Sequence, residues 1–109
     1  MLQPLLGSEN AERTLIFLLI RKEGYATEIA RFFDVDLYGI QNQLEKFETG
    51  SILISRKVGR TRVYQFNPSY AFLAELQKLL RKAFSFYPPK IKESLQYNRR
   101  RPRKGDKKL

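Results

Sequence analysis

Six consecutive apolar residues, 15–20, constrain the fold of this 109-residue chain more than any other stretch. The run is far shorter than the roughly 20 residues that span a bilayer, so it predicts a buried segment of a globular protein. Ser8 precedes Glu9 and Glu12, which is typical of an N-cap followed by acidic residues in a first helical turn. We therefore expect a first helix that ends near residues 22–24. Because the run covers its whole circumference, this helix needs burial on more than one side, and a partner chain is the simplest candidate for the second.

Two shorter helical patterns follow this first helix. Within residues 28–33, a small apolar face is formed by Ile29, Ala30 and Phe33, at i, i+1 and i+4. Residues 34–36 supply a turn and an N-cap. A further helix then runs to Thr49 and stops at Gly50, with an apolar stripe formed by Leu37, Ile40, Leu44 and Phe47. Two short helices joined by a few turn residues are the layout of a helix-turn-helix.

A β-hairpin is predicted directly after this helix pair. Residues 52–55 and 62–66 are rich in β-branched and aromatic side chains, and the segment 56–61 between them contains Gly59. The hairpin occupies the position of a wing. We therefore predict a mainly α protein with a small β-hairpin, an α+β fold of the winged helix-turn-helix type.

A long helix over residues 70–86 is predicted next, with two adjacent apolar stripes that are together wider than one small domain covers. One stripe should face the domain and the other a second subunit, so the pattern predicts a homodimer. Its predicted contacts are Leu15, Leu18, Phe72, Leu79 and Phe86.

Three segments are expected along the chain. Residues 1–87 form the winged helix-turn-helix domain with its dimerising helices, and residues 88–98 form a linker or a short helix with Ile91 and Leu95 inward. Residues 99–109 hold seven basic residues and one acidic residue, which is six of the ten net positive charges of the chain. We expect this segment to be a disordered tail, and an excess of this size favours a nucleic-acid partner.

Several classes of function are excluded by residue type. The chain has no Cys and no His, which removes disulfides, thiolate chemistry, Cys/His metal sites and the usual general base. It also lacks a Gly-rich phosphate loop and a paired nucleophile and base, so we expect no enzyme, no cofactor and no metal. The apolar run has no basic segment ahead of it and no small-residue cleavage site after it, so we do not expect it to be a signal peptide, and we expect a cytoplasmic protein without a membrane partner.

The polar side of the helix over residues 37–49 is the predicted base-reading surface. If its apolar stripe faces the core, then Tyr38, Gln41 and Asn42 lie opposite and could enter the major groove, where Gln and Asn pair with adenine. Lys46 is the predicted backbone contact from the same helix. Gly39 weakens the helix and indicates a close approach to DNA. The alternative is a polar face that is merely solvated.

Cationic side chains on the hairpin and in the tail complete the predicted DNA interface. The cationic residues are Arg56, Lys57, Arg60 and Arg62 on the hairpin, and Arg99, Arg100, Arg101 and Arg103 in the tail; the uncharged Thr61 of the hairpin is a further predicted contact. The hairpin would lie on the phosphate backbone or minor groove. Its alternative role is to protect a strand edge from aggregation. The tail either enters an adjacent minor groove or adds only nonspecific attraction.

The chain resembles the winged-helix domains of ArsR-like bacterial and archaeal transcriptional regulators over residues 7–87. The similar stretches are residues 25–30, 35–40, 44–48 and 59–68. The resemblance implies a DNA-binding transcriptional regulator. Members that sense metals use Cys or His ligands, which this chain does not contain.

We therefore expect a sequence-specific regulator that binds double-stranded DNA as a homodimer. Two alternatives remain, an architectural or RNA-binding winged-helix protein and a protein-interaction module. An RNA reader should expose aromatic or Arg stacking groups, and an interaction module should lack the cationic run of the hairpin.

Overall fold

The apolar run at residues 15–20 lies in a central helix against which most other elements pack. The computed structural model describes residues 1–100, except for the side chains of residues 97–100. Within this range six helices and one two-stranded antiparallel sheet follow in the order α1 (Gln3–Leu6), α2 (Glu9–Arg21), α3 (Ala26–Phe33), α4 (Leu37–Thr49), β1 (Leu53–Val58), β2 (Thr61–Phe66), α5 (Leu73–Ser85) and α6 (Pro89–Arg100). The chain is therefore mainly helical with a small β-hairpin, as the sequence predicted.

Helix α2 begins at the predicted cap, where the Ser8 hydroxyl accepts a hydrogen bond from the Ala11 amide at 3.0 Å. It contacts all five other described helices as well as β2, so the same chain covers its whole circumference. Leu15 and Leu18 are 0% and 1% exposed and have no surface to offer a partner. The prediction that these two residues contact a second subunit is wrong, because α5 and α6 pack on the side that the sequence left open.

Helices α3 and α4 form the predicted pair. Asp34 adopts a left-handed conformation at the end of α3, and the Asp36 carboxylate caps α4 by accepting from the Tyr38 amide at 3.1 Å. Three of the four predicted inward residues of α4 are buried, namely Ile40, Leu44 and Phe47. Leu37 is 38% exposed because it lies in the first turn, at the edge of the core.

Gly39 has a packing role within the fold. A Cβ at this position would lie 2.6 Å from the Nδ2 atom of Asn10, near the start of α2. The glycine therefore leaves room for the Asn10 side chain beside α4, a role that the sequence-based interpretation of it as a mark of close approach to DNA did not include.

The hairpin is longer and its turn is tighter than predicted. Val58 pairs with Thr61, so two residues, Gly59 and Arg60, replace the six-residue connection that the sequence suggested. Gly59 has a φ of 64°, a conformation that favours glycine at the first central position of such a turn. The other edge of β2 forms a single antiparallel bridge, in which Gly24 and Tyr64 exchange backbone hydrogen bonds of 3.0 and 2.8 Å. This bridge fixes the hairpin against the loop after α2.

Helices α5 and α6 close the other side of α2. The inward side of α5 consists of Leu80, Ala83 and Phe84, which are buried. Leu95 of α6 is 0% exposed and Ile91 packs against the core, so both predicted inward residues are confirmed. Arg21 holds α6 in place, because its Nε atom donates to the Leu95 carbonyl at 3.0 Å. Helix α6 extends to Arg100, two residues beyond the predicted end of the short helix.

A buried carboxylate joins the N-terminal segment to this helical layer. Glu12 is 4% exposed and accepts hydrogen bonds from the Leu2 amide at 2.6 Å and from the Tyr87 hydroxyl. The ammonium group of Met1 lies 3.2 Å from the same carboxylate. Burial raises the pKa of Glu12, but these hydrogen bonds and the ammonium charge outweigh it and hold the pKa below the ordinary 4.5. Glu12 therefore stays charged and binds three segments together.

Candidate nucleic-acid interface

The side of α4 that faces away from the core presents the predicted base-reading residues to solvent. Tyr38 is 68% exposed, and Gln41 and Asn42 are exposed as well. Their side chains make no hydrogen bond to any other residue within positions 1–96. The three side chains therefore lie together on one accessible surface, as predicted, and their polar groups are available to a ligand.

The two flanks of α4 differ. On the flank next to the hairpin, the Glu48 carboxylate accepts a hydrogen bond from the Ser55 hydroxyl of β1 at 2.7 Å. On the opposite flank, the Lys46 amine lies 3.5 Å from the Leu6 carbonyl and 4.9 Å from the centre of the Phe47 ring. The structure thus directs Lys46 toward α1, away from the hairpin, and does not group it with the other predicted contacts.

One face of the hairpin is turned toward α4 and carries free cationic charge. Arg62 donates to the Ser55 hydroxyl at 3.0 Å, and Ser55 in turn donates to Glu48, so a chain of hydrogen bonds links the strands to α4. Lys57 is paired across the hairpin with Arg62 and shares this face by strand alternation. Arg60 is exposed at the turn, and within the described residues neither it nor Lys57 forms an ion pair.

Arg56 is separated from these cations. It lies on the alternate face of β1, where its guanidinium is 2.9 Å from the Glu23 carboxylate and donates to the Gln65 side chain at 3.1 Å. Both partners of the ion pair are half-exposed. Glu23 therefore neutralises one of the four hairpin charges that the sequence assigned to DNA.

An open cleft of about 420 Å³ lies between α3, α4 and the hairpin. Its lining residues include three arginines and one acidic residue, namely Arg31, Arg60, Arg62 and Glu45. Gln41 and Thr61 line the same cleft, so it brings a predicted base-reading residue together with predicted hairpin contacts. A cleft with this excess of positive charge attracts an anionic chain such as a phosphate backbone.

The first helix of the pair contributes residues that the sequence analysis missed. Tyr25, Thr27 and Arg31 line the cleft from the start and the outer side of α3. Thr27 and Arg31 are four residues apart, so the helical period places them on one face, opposite the buried Ile29. This spacing could have identified them, because they are the polar counterpart of the apolar face that defined the helix.

Tyr64 forms part of the wall of this cleft. Burial raises the pKa of its hydroxyl, and the negative charge of Glu48 raises it further, while Arg62 partly compensates. The hydroxyl therefore keeps its proton at neutral pH and remains a hydrogen-bond donor.

The remaining predicted contacts lie elsewhere on the chain. Phe72 and Phe86 are the cap residues at the two ends of α5 and are 63% and 67% exposed, whereas Leu79 within α5 is half-buried. Arg99 and Arg100 are the last residues of α6, whereas Arg101 and Arg103 lie outside the described residues.

The part of the chain that the structure describes has neither a candidate metal site nor a candidate membrane-spanning helix. It contains no group of acidic, His or Cys side chains that could hold a metal ion. None of its helices has the length and apolar character needed to cross a membrane.

Comparisons with protein-family models, with curated proteins and with solved structures found no match for this chain.

Proposed function

We propose that this protein is a winged helix-turn-helix regulator of transcription, similar to the ArsR-like regulators, that binds double-stranded DNA sequence-specifically as a homodimer. Helix α4 is its recognition helix and the hairpin of β1 and β2 is its wing. Such a regulator acts where the DNA lies, which we expect to be the cytoplasm.

The observation that carries this proposal is the cleft between α4 and the hairpin. It joins Gln41, a side chain that can pair bidentately with adenine, to Arg60 and Arg62, which can neutralise phosphates. Base contacts specify a sequence and phosphate contacts position the protein, so a specific DNA-binding protein needs both kinds of group on one surface. If the polar face of α4 were merely solvated, there would be no reason for Gln41 to share a cleft with Arg60 and Arg62.

The exposed face of α4 has the right form for the major groove. Tyr38, Gln41 and Asn42 project from the first half of a 13-residue helix, and its flanks are held by the hairpin and by α2. Recognition helices place their N-terminal residues on base edges. The hydrogen bonds from Arg62 to Ser55 and from Ser55 to Glu48 keep the hairpin and this helix in a fixed relation.

Selection of bound sequences from a random duplex pool tests the proposal. We expect enrichment of a pseudo-palindromic site whose half-sites lie about one helical turn apart, because a twofold dimer presents two copies of α4. A structured RNA of similar length serves as competitor and should displace the selected duplex no better than random DNA does. Equal affinity for selected and random duplexes would contradict sequence-specific binding, and stronger competition by the RNA would favour an RNA partner.

A further inference from the structure

The cleft between α3, α4 and the hairpin contains one acidic side chain, Glu45 of α4, among its cations. Glu45 is exposed, and although three arginines line the same cleft, it forms no ion pair and no hydrogen bond within the described residues. A carboxylate repels phosphate groups, so Glu45 weakens the attraction of this cleft for a nucleic-acid backbone. Its position therefore requires a role other than phosphate binding.

The other acidic residue of α4 is already engaged within the fold. Glu48 is half-buried and accepts a hydrogen bond from the Ser55 hydroxyl at 2.7 Å. Burial is the main cause of the raised pKa of Tyr64, and the charges of Glu48 and Glu45 raise it further, so both carboxylates lie near this wall of the cleft. Of the two, Glu45 alone is free to contact a ligand in the cleft.

The helical period places Glu45 on the predicted base-reading surface. It follows Gln41 by four residues and Tyr38 by seven, so all three share one face of α4. One turn of helix advances about 6 Å from Gln41 to Glu45, and successive phosphates of a DNA strand are about 3.4 Å apart. A helix that lies along the major groove would therefore bring Glu45 to a base about two positions from the one that Gln41 reads.

The chemistry of a carboxylate selects one base at that position. An ionised carboxylate only accepts hydrogen bonds. In the major groove guanine and thymine present acceptors, and adenine presents an acceptor beside its donor, whereas cytosine presents its N4 donor alone. Glu45 is therefore attracted to cytosine and repelled by acceptors of the other bases. The amide of Gln41 differs, because it both donates and accepts and so matches adenine.

We propose that Glu45 is a specificity-determining residue that accepts a hydrogen bond from the N4 amino group of a cytosine in each half-site. This inference rests on the proposed function and deepens it, since it assigns a base to a residue outside the predicted DNA contacts. The half-site then contains a cytosine about two base pairs from the adenine that Gln41 reads.

Selection from a random duplex pool with Glu45 variants tests the assignment. Wild type should enrich cytosine at one position of each half-site. Glu45→Gln should prefer adenine at that position, because its amide both donates and accepts, and Glu45→Ala should have no preference there. The rest of the selected site should be the same for all three proteins.

Dissociation constants give the expected magnitudes. Replacing that C·G pair by A·T should weaken binding of wild type by about 5- to 150-fold, the usual effect of one mismatched pair, and should not weaken binding of Glu45→Gln. Both variants should bind a random duplex more tightly than wild type, because a repulsive charge has been removed from the cleft. A merely structural role would not move specific and nonspecific affinity in opposite directions.

Glu75→Gln is the matched control. Glu75 is an exposed acidic residue of α5, outside the cleft, so its substitution makes the same change of charge without touching the base-reading surface. This variant should keep the base preferences of wild type. Circular dichroism checks that each variant is folded, and loss of helix content in both Glu45 variants would contradict the exposed, unpartnered position from which the inference starts.

The outcomes separate this inference from the proposed function. A cytosine preference that persists in Glu45→Ala, or a preferred base that Glu45→Gln leaves unchanged, overturns the assignment of Glu45 while specific binding by wild type still stands. Selection of no sequence by wild type overturns the proposed function and this inference with it. A shift from cytosine to adenine at a single position of each half-site supports both.

Discussion

Arg60 at the tip of the hairpin offers the sharpest quantitative prediction for DNA binding. It is exposed, follows the turn residue Gly59, and forms no ion pair within the described residues. Its whole charge is therefore available to a phosphate. Each phosphate contact contributes about 0.9 to the slope of log K against log salt. We therefore expect Arg60→Ala to flatten the slope by about 0.9, which corresponds to about a fivefold loss of affinity at 0.15 M salt.

The ion pair on the other face of the hairpin provides the matched control. Arg56 and Glu23 are 2.9 Å apart and neutralise each other, so the double variant Arg56→Ala with Glu23→Ala removes no net charge. It should leave the salt slope unchanged. An exposed pair of this kind contributes at most about 1 kcal/mol to stability, so the fold should persist. Arg60→Lys, which keeps the charge, should also retain the slope.

Fluorescence anisotropy with one labelled duplex, titrated from 50 to 300 mM salt, measures these slopes. An unchanged slope for Arg60→Ala would refute the placement of the hairpin tip on the phosphate backbone. If Arg60→Ala and the double variant reduced the salt slope equally, then Arg56 would contact a DNA phosphate despite its ion pair with Glu23. The pairing would then not decide which hairpin cations bind DNA.

Three further predictions concern the fold and the tail. Glu12→Gln should lower the free energy of unfolding by about 1–3 kcal/mol at pH 7 in urea denaturation, because it replaces a buried charged acceptor. The folded-state pKa of Glu12 is lowered, so its stabilisation is present above the ordinary 4.5 and is lost as pH falls through the folded pKa. The difference between variant and wild type should therefore shrink in acid, and a constant difference would contradict this. Leu95→Ala should cost about 2–5 kcal/mol because the side chain is 0% exposed, whereas the exposed Gln96→Ala should change stability by less than about 0.5 kcal/mol. Truncation after Arg100 removes five basic residues and one acidic residue and should weaken binding to every duplex without lowering the melting temperature; a large drop in melting temperature would mean that the tail is structural.

Local signals explain why most elements were predictable from the sequence. Ser8 and Asp36 cap α2 and α4, and Gly50 follows the end of α4, as the pattern indicated. These signals act within one turn of helix, so the nearby sequence contains them completely. The exposed face of α4 was predictable for the same reason, since the position of the buried stripe determines the opposite side.

Contacts between distant segments explain what the sequence did not reveal. Helix α1 has four residues and none is buried, so it has no apolar period to detect. Its position depends on the hydrogen bond between Leu2 and Glu12. The pairing of Arg56 with Glu23 joins residues 33 positions apart. No short-range pattern shows that one of four similar cations is neutralised.

Burial of α2 illustrates the same limit in the core. The run at residues 15–20 correctly indicated a helix that is covered all round. Whether α6 or a second subunit covers α2 depends on where Leu95 and Ile91 dock, and both lie at least 70 positions away from α2 along the chain. The sequence showed the need for the cover but not its source.

Specific binding depends on base reading by α4, and the ratio of specific to nonspecific affinity measures that reading. Dissociation constants for the selected duplex and for a random duplex of equal length are measured for wild type, Gln41→Ala and Asn42→Ala, with the exposed Gln96→Ala on α6 as control. We expect each α4 variant to lose about 1–3 kcal/mol on the selected duplex and almost nothing on the random one, while the control matches wild type on both. Equal losses on both duplexes, or none on either, would contradict base reading by α4.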